Sequence, residues 1–242
     1  MRIFWADSRG KVALVLVSLW LVAVFSQFRP FALLFPLLAI ACSFVVDACL
    51  SRLRYGVWFF SLSSFITGLL IGLIVDPTSI TVLLTAVVLA SVSKYVLGLG
   101  KQKHVFNPAA VGIVLSSVLL NRPVAWWAAT WGMLPLVIIS LGMLMPLRQL
   151  RRLWMPVSFL LVYGFWLRTL PLLFDTTVFL FAWIMLTEPI TAPNRGFWRY
   201  GWGVFVAILV IGQQVFSVSW SDPLLTALLV ANGFGFFLTR VL

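Results

Sequence analysis

Ten apolar runs, each closed by charge or proline, constrain this chain more than any other feature. Read between those breaks they cover about 12–28, 31–50, 55–75, 78–98, 108–120, 132–147, 153–170, 174–187, 200–218 and 223–240. A helix crossing the roughly 30 Å hydrocarbon core of a bilayer needs about 20 mostly apolar residues, fewer if it is half-length or re-entrant. Unpaired backbone cannot face lipid, so runs of this kind with polar breaks between them imply helices packed in a bundle. Composition agrees: 62% of residues are hydrophobic, 10% are charged and the mean hydropathy is +1.10, whereas a soluble domain carries roughly 25% charged residues. The expectation is an all-α polytopic membrane protein, one transmembrane domain over 1–242, in contact with the lipid bilayer.

The formal charge is +11, from 17 Lys and Arg against 6 Asp and Glu. In a soluble protein that excess would suggest nucleic acid; here membrane topology accounts for it. With the N-terminus inside, Arg2, Arg9, Lys11, Arg52, Arg54, Lys101, Lys103, Arg148, Arg151, Arg152, Arg195, Arg199 and Arg240 fall at cytoplasmic ends. Only Arg29, Arg122 and Arg168 fall outside, and Lys94 lies within a run. This is the positive-inside bias expected of a multi-pass protein with both termini cytoplasmic. Trp126, Trp127 and Trp131 fit an aromatic belt at the outer interface. The first run lacks a small-residue cleavage site before "SQFRPF", so no cleavable signal is expected. Cys42 and Cys49 are two helical turns apart, about 10.5 Å along an axis, too far for a disulfide.

The prolines repeat. Asp76-Pro77 and Glu188-Pro189 each follow an apolar run, and each is followed by a polar-proline pair that opens a later one, Asn107-Pro108 and Asp222-Pro223. The separations are 31 and 34 residues. In the topology above the two copies have opposite orientation, as two inverted five-helix halves would, roughly 12–120 and 132–242. Broken elements in matching positions of inverted halves tend to form a site near the midplane.

Polar residues in or beside the runs are the candidates for that site. Asp47 is an acid well inside a run, where such groups pair or line an ion pathway; Lys94 and Arg54 are its available partners. Lys94 either snorkels to the interface or stays buried as a cation. Glu188 ends a short helix and is flanked by Thr187 and Thr191, whose hydroxyls can bond a cofactor or a broken backbone. In "GKQKHVFNPAA", Asn107 suits a helix cap, and His104, the single histidine, either belongs to the site or merely sits in a wet loop. One histidine does not make a metal cluster. Gly68 and Gly72 form a GxxxG pattern that favours close helix packing. No Gly-rich nucleotide loop, Ser-His-Asp set or NADH-binding domain is present.

The stretch "SSFITGLLIGLIVDPTSITVLLTAVVLASVSKYVLGLGKQKHVFNPAAVGIVL" resembles the RnfD/NqrB family, membrane proteins of the Rnf electron transport complex and of the sodium-translocating NADH:quinone reductase. The shared features are a Thr-Gly-Leu-Leu helix, a lysine late in the next helix (Lys94), a glycine-rich turn and Phe-Asn-Pro-Ala. "RRLWMPVSFLLVYGFW", "MLTEPITAP" with "YGWGVFVAIL", and "DPLLTALLVANGF" continue the likeness in order, so that it covers most of residues 55–240. The resemblance implies a ten-helix inverted-repeat fold related to urea and ammonium channels. It also implies a flavin-dependent, ion-coupled electron-transfer role alongside other membrane, flavin and iron–sulfur subunits, with Lys94, His104, Asn107, Thr187, Glu188 and Thr191 as cofactor-binding candidates. Members carrying covalent FMN have Ser-Gly-Ala-Thr or a close variant. This chain has no such tetrapeptide, so covalent FMN is not expected, and a noncovalent flavin (FMN or riboflavin) or no cofactor is left. A small-solute transporter or channel, or a scaffold subunit, is the competing reading, because the same fold serves solute movement.

Overall fold

A computed structural model describes residues 8–27, 29–98, 104–130, 132–168, 174–193, 196–218 and 220–241. Among these, ten helices account for the ordered backbone, with two isolated antiparallel bridges and no strand. They are α1 (Ser8–Gln27), α2 (Pro30–Tyr55), α3 (Leu62–Ile74), α4 (Ile80–Val96) and α5 (Pro108–Leu120), then α6 (Leu134–Gln149), α7 (Trp154–Leu167), α8 (Thr176–Leu180), α9 (Trp198–Val215) and α10 (Pro223–Val241). A five-residue π turn, Phe181–Met185, continues α8. Its extra residue per turn shows in Leu186 N–H donating to Phe181 O at 2.9 Å, and such turns are frequent at functional sites.

The helix starts are written locally. Ser61, Ser79, Asn107 and Asp175 each hold a side-chain oxygen against a backbone N–H two or three residues on. Asp222 does the same for Leu225 N–H at 3.0 Å. Capping of this kind satisfies donors that a helix start leaves orphaned. Pro30, Pro108 and Pro223 open their helices, where a missing N–H costs nothing. The run expected from 55 divides differently: α2 continues through Tyr55, Gly56 turns the chain at φ 74°, and α3 starts only at Leu62.

Two helices, Ser8–Ser26 and Pro30–Tyr55, are long and apolar enough to cross a membrane alone; several others are apolar but shorter. At 13 residues α3 and α5 reach about 20 Å. Packing is tight where side chains are small. A Cβ on Gly68 would sit 2.8 Å from Ala39 O, and one on Gly72 would sit 2.6 Å from Pro36 Cα, so the expected GxxxG is the α2–α3 contact. α2 also packs on α4, α4 on α5, and α1 on α3. In the second half α7 packs on the π turn and on α9, α9 on α10, and α6 on α8. Across the halves α1 meets α6 and α5 meets α10.

The tryptophan belt is corrected in part. Trp126 and Trp127 are buried, at 5% and 6% exposure, because their indole N–H groups have partners inside the protein. Trp127 donates to Gly72 O at 3.0 Å and Trp126 to Asp222 Oδ2 at 2.7 Å. Trp131 lies outside the described residues. Both cysteines are free thiols.

Candidate functional site

The ends of α2, α4 and the π turn, and the starts of α1, α3 and α5, converge at one end of the bundle, and most polar candidates meet there. Asp47, about two turns before the end of α2, is 3% exposed. Its Oδ2 accepts from Lys94 Nζ at 2.7 Å and from the Ser64 hydroxyl at 2.5 Å. Tyr95 donates its hydroxyl to Asp47 O at 2.9 Å. The expected partner is therefore Lys94, while Arg54 donates instead to Gly98 O. Lys94 does not snorkel: its side chain is 10% exposed and its charge is met within the bundle.

A second pair lies beside the first. His104 Nε2 stands 3.2 Å from Glu188 Oε1, and the Thr191 hydroxyl donates to Glu188 Oε2 at 3.1 Å. The pair joins the segment that leads into α5 to the break after the π turn, over 84 residues of sequence. Thr187 turns inward to its own helix, donating to Trp183 O at 2.7 Å. Its hydroxyl is thus used up by the backbone. Asn107 caps α5 through Ala110 N–H at 3.0 Å, and its own N–H donates to Asn232 Oδ1 at 2.9 Å. Lys101 and Lys103 lie outside the described residues.

Two adjoining cavities run between these groups. The larger, about 210 Å³, is lined by Asp47, Lys94, Tyr55, Tyr95, Ser63 and His104, among others. The smaller, about 80 Å³, is lined by Asn107, Thr187 and Glu188 together with residues of α1, α3 and α6. Arg9, Ser63 and Ile190 line both. Asp47 Oδ1 is buried and has no hydrogen-bond partner among the described residues.

Arg152 belongs to this end, although its place in the sequence suggests only loop charge. It is 5% exposed. Its guanidinium donates to Ala192 O at 3.0 Å, Pro189 O at 3.3 Å and Glu188 O at 3.5 Å. Glu188 O also accepts from Ala192 N–H at 3.1 Å, whereas Pro189 O and Ala192 O have no backbone donor among the described residues. A cation at a helix C-terminus also opposes the negative end of its dipole. Burial pulls the guanidinium down to about 10, against the raising influence of Glu188, so it is charged at neutral pH. Its sequence signal is slight: an arginine immediately before an apolar run.

At the other end the break after α3 is closed without charge. Ala125 N–H and Trp126 N–H both donate to Ile74 O, at 3.0 and 2.9 Å, and Ala128 N–H to Leu73 O at 3.3 Å. Asp222 sits against this cap through Trp126. Burial raises the Asp222 carboxyl, partly offset by the N–H donors of Trp126, Leu225 and Leu224.

The expected flavin can be tested against this geometry. Sites for drug-sized ligands occupy roughly 300–1,000 Å³; the larger cavity is about 210 Å³. The larger of these two cavities is therefore too small to enclose FMN. Among the described residues no group of three or more His, Cys, Asp and Glu is placed to hold a metal ion. Compared with known proteins, the chain matches no family model and no curated protein.

Proposed function

We propose that this chain is a multi-pass protein of a prokaryotic inner membrane, built of two inverted five-helix halves. It would serve as the membrane subunit of an Rnf/Nqr-like, ion-coupled electron-transfer complex. The inverted repeat is supported by the exchange of broken ends. The break of the second half, at Glu188, meets His104 of the first. The cap on the break of the first half, through Trp126, meets Asp222 of the second. Matching helix pairs recur in both halves, while α1 with α6 and α5 with α10 pair across them, as elements beside a two-fold axis would.

The observation that carries the functional reading is the buried Asp47–Lys94 pair on a cavity that adjoins the seam between the halves. Ionisable groups inside membrane helices are costly and mark pathways. In this reading electrons travel on flavin and iron–sulfur partners, and the chain's own part is the charged pair that responds to the ion. The alternative, a small-solute transporter or channel, is favoured by the same adjoining cavities, since inverted-repeat carriers bind at that seam.

The visible spectrum separates the two. A complex withdrawn intact from its native membrane should show flavin and iron–sulfur absorbance. The chain stripped of its partners should be colourless, with no flavin in the acid supernatant. A chain that purifies without redox partners, and alone carries small solutes into proteoliposomes, would overturn the electron-transfer reading in favour of transport.

A further inference from the structure

Between α2 and α3 the chain is not helical over 56–61, and this stretch lies deep. Ser51 donates its hydroxyl to Val57 O at 3.0 Å, and the Phe60 ring centroid is 6.3 Å from that of Phe44. The segment thus folds back along α2 toward its middle. Phe44 stands about 16 Å before the end of α2, at about 1.5 Å per residue. α2 has 26 residues and is about 39 Å long, against a hydrocarbon core of about 30 Å. Were all the excess to protrude at this end, Phe60 would still sit roughly 7 Å below the hydrocarbon boundary. Val57, Phe59 and Ser61 line the larger cavity. Trp58 and Phe60 alternate with them, off that lining, and are 62% and 67% exposed. The backbone N–H and C=O groups of Trp58, Phe59 and Phe60 make no hydrogen bond among the described residues. Lipid cannot satisfy such groups, and irregular backbone at this depth persists only where protein or a water-filled cavity covers it.

We propose that the Trp58–Phe60 face is the contact for a transmembrane helix of a different membrane protein. That helix brings hydroxyl or amide side chains to the backbone of 58–60 and apolar surface to the two aromatic rings. Ser, Thr, Asn and Gln bond across membrane helices in this way, and an exposed tryptophan is a frequent anchor of protein contacts. A second copy of this chain does not fit. Related by a two-fold axis along the membrane normal, it would set N–H against N–H and C=O against C=O at equal depth. A soluble partner does not reach this level. The inference rests on the membrane reading above and not on electron transfer.

The test is hydrogen–deuterium exchange of the peptide spanning 56–61, read by mass spectrometry in one detergent throughout. The complex withdrawn intact from native membranes is compared with the chain stripped of its partners. The amides of Trp58, Phe59 and Phe60 should exchange at least about tenfold more slowly in the complex, as bonded amides do. The double variant Trp58→Ala with Phe60→Ala should lose its membrane partner during purification. The variant chain alone should melt nearly as before, since both side chains are exposed. Equally fast exchange in the two samples would give the face to water, and equally slow exchange would mean that the chain covers it itself. Either overturns the proposal, as does a partner that stays on the double variant, slow exchange in a stripped chain that has dimerised, or a chain that leaves the membrane with no other membrane protein. A carbonate wash of native membranes keeps the two readings apart. A chain that it releases does not span the membrane, whereas a retained chain with equal exchange refutes this contact alone.

Discussion

The two helix breaks invite comparison, because the sequence writes them alike and the structure closes them differently. After α3, at Asp76-Pro77, the loose carbonyls of Leu73 and Ile74 are met by backbone N–H groups of 125–128, and Gly72 O by Trp127. After the π turn, at Glu188-Pro189, the carbonyls are met by one buried arginine. The first closure is neutral and made largely by a loop. The second imports a full charge, and that charge has a carboxylate, a histidine and a second ion pair for company. The difference teaches that a repeated break is only a vacancy in the hydrogen-bond ladder. What fills it decides which end of the molecule becomes electrostatically active.

The largest effect should come from the charged end. Removing one member of a buried ion pair strands the other, at about 3–5 kcal/mol. Lys94→Met alone should therefore lower the melting temperature sharply, whereas Lys94→Met with Asp47→Leu should recover most of the loss. A single variant no worse than the double would mean that Asp47 and Lys94 do not depend on each other.

Next come the two closures themselves. Arg152→Met leaves Pro189 O and Ala192 O short of donors, while Glu188 O keeps Ala192 N–H, and should cost about 2–4 kcal/mol, since bonds from charged donors contribute about 1.5–3 kcal/mol each but share one side chain here. Arg152→Lys should restore only part, lacking the planar fork. Trp127→Phe removes one neutral bond, to Gly72 O, and should cost about 1 kcal/mol, with Ile74 still closed by its two backbone donors. If Trp127→Phe proved as damaging as Arg152→Met in chemical denaturation, the contrast between a charged and a neutral closure would fail.

How much of this is legible in the sequence depends on how far apart the partners lie along the chain. The helices and their starts are readable, because caps act over two or three residues: Asn107 on Ala110 and Asp222 on Leu225. The Asp47–Lys94 pair is readable too, since a lone acid in an apolar run has few partners to choose from. Arg152 is not, because its acceptors lie 36 to 40 residues on and it stands in an arginine-rich loop that topology already explains. Trp126 and Trp127 mislead for a related reason. An indole suits a membrane interface and a buried bond to a distant oxygen equally well, and only the fold supplies the oxygen. Asn232 can be noticed as a polar residue in the last helix, but not as the acceptor for Asn107 N–H, 125 residues away.

The smallest effect lies at the neutral end and is one of pH. Burial raises the Asp222 carboxyl, so the folded protein holds that proton more tightly than the unfolded chain, whose aspartate titrates near about 3.9. Below that value both states are protonated and nothing is lost. As pH rises through the window between the unfolded and the folded values, the folded state must give up a proton that it favours, and stability falls. Asp222→Asn keeps an oxygen to cap Leu225 but has no charge to bury. Its melting temperature relative to the native chain should therefore improve as pH is raised from about 4 toward neutrality, by well under the effect of Arg152→Met. A difference that stayed flat across that range would show that Asp222 is as well solvated in the fold as outside it. The neutral closure would then owe nothing to the burial of its acidic neighbour, and the contrast between the two ends would reduce to Arg152 alone.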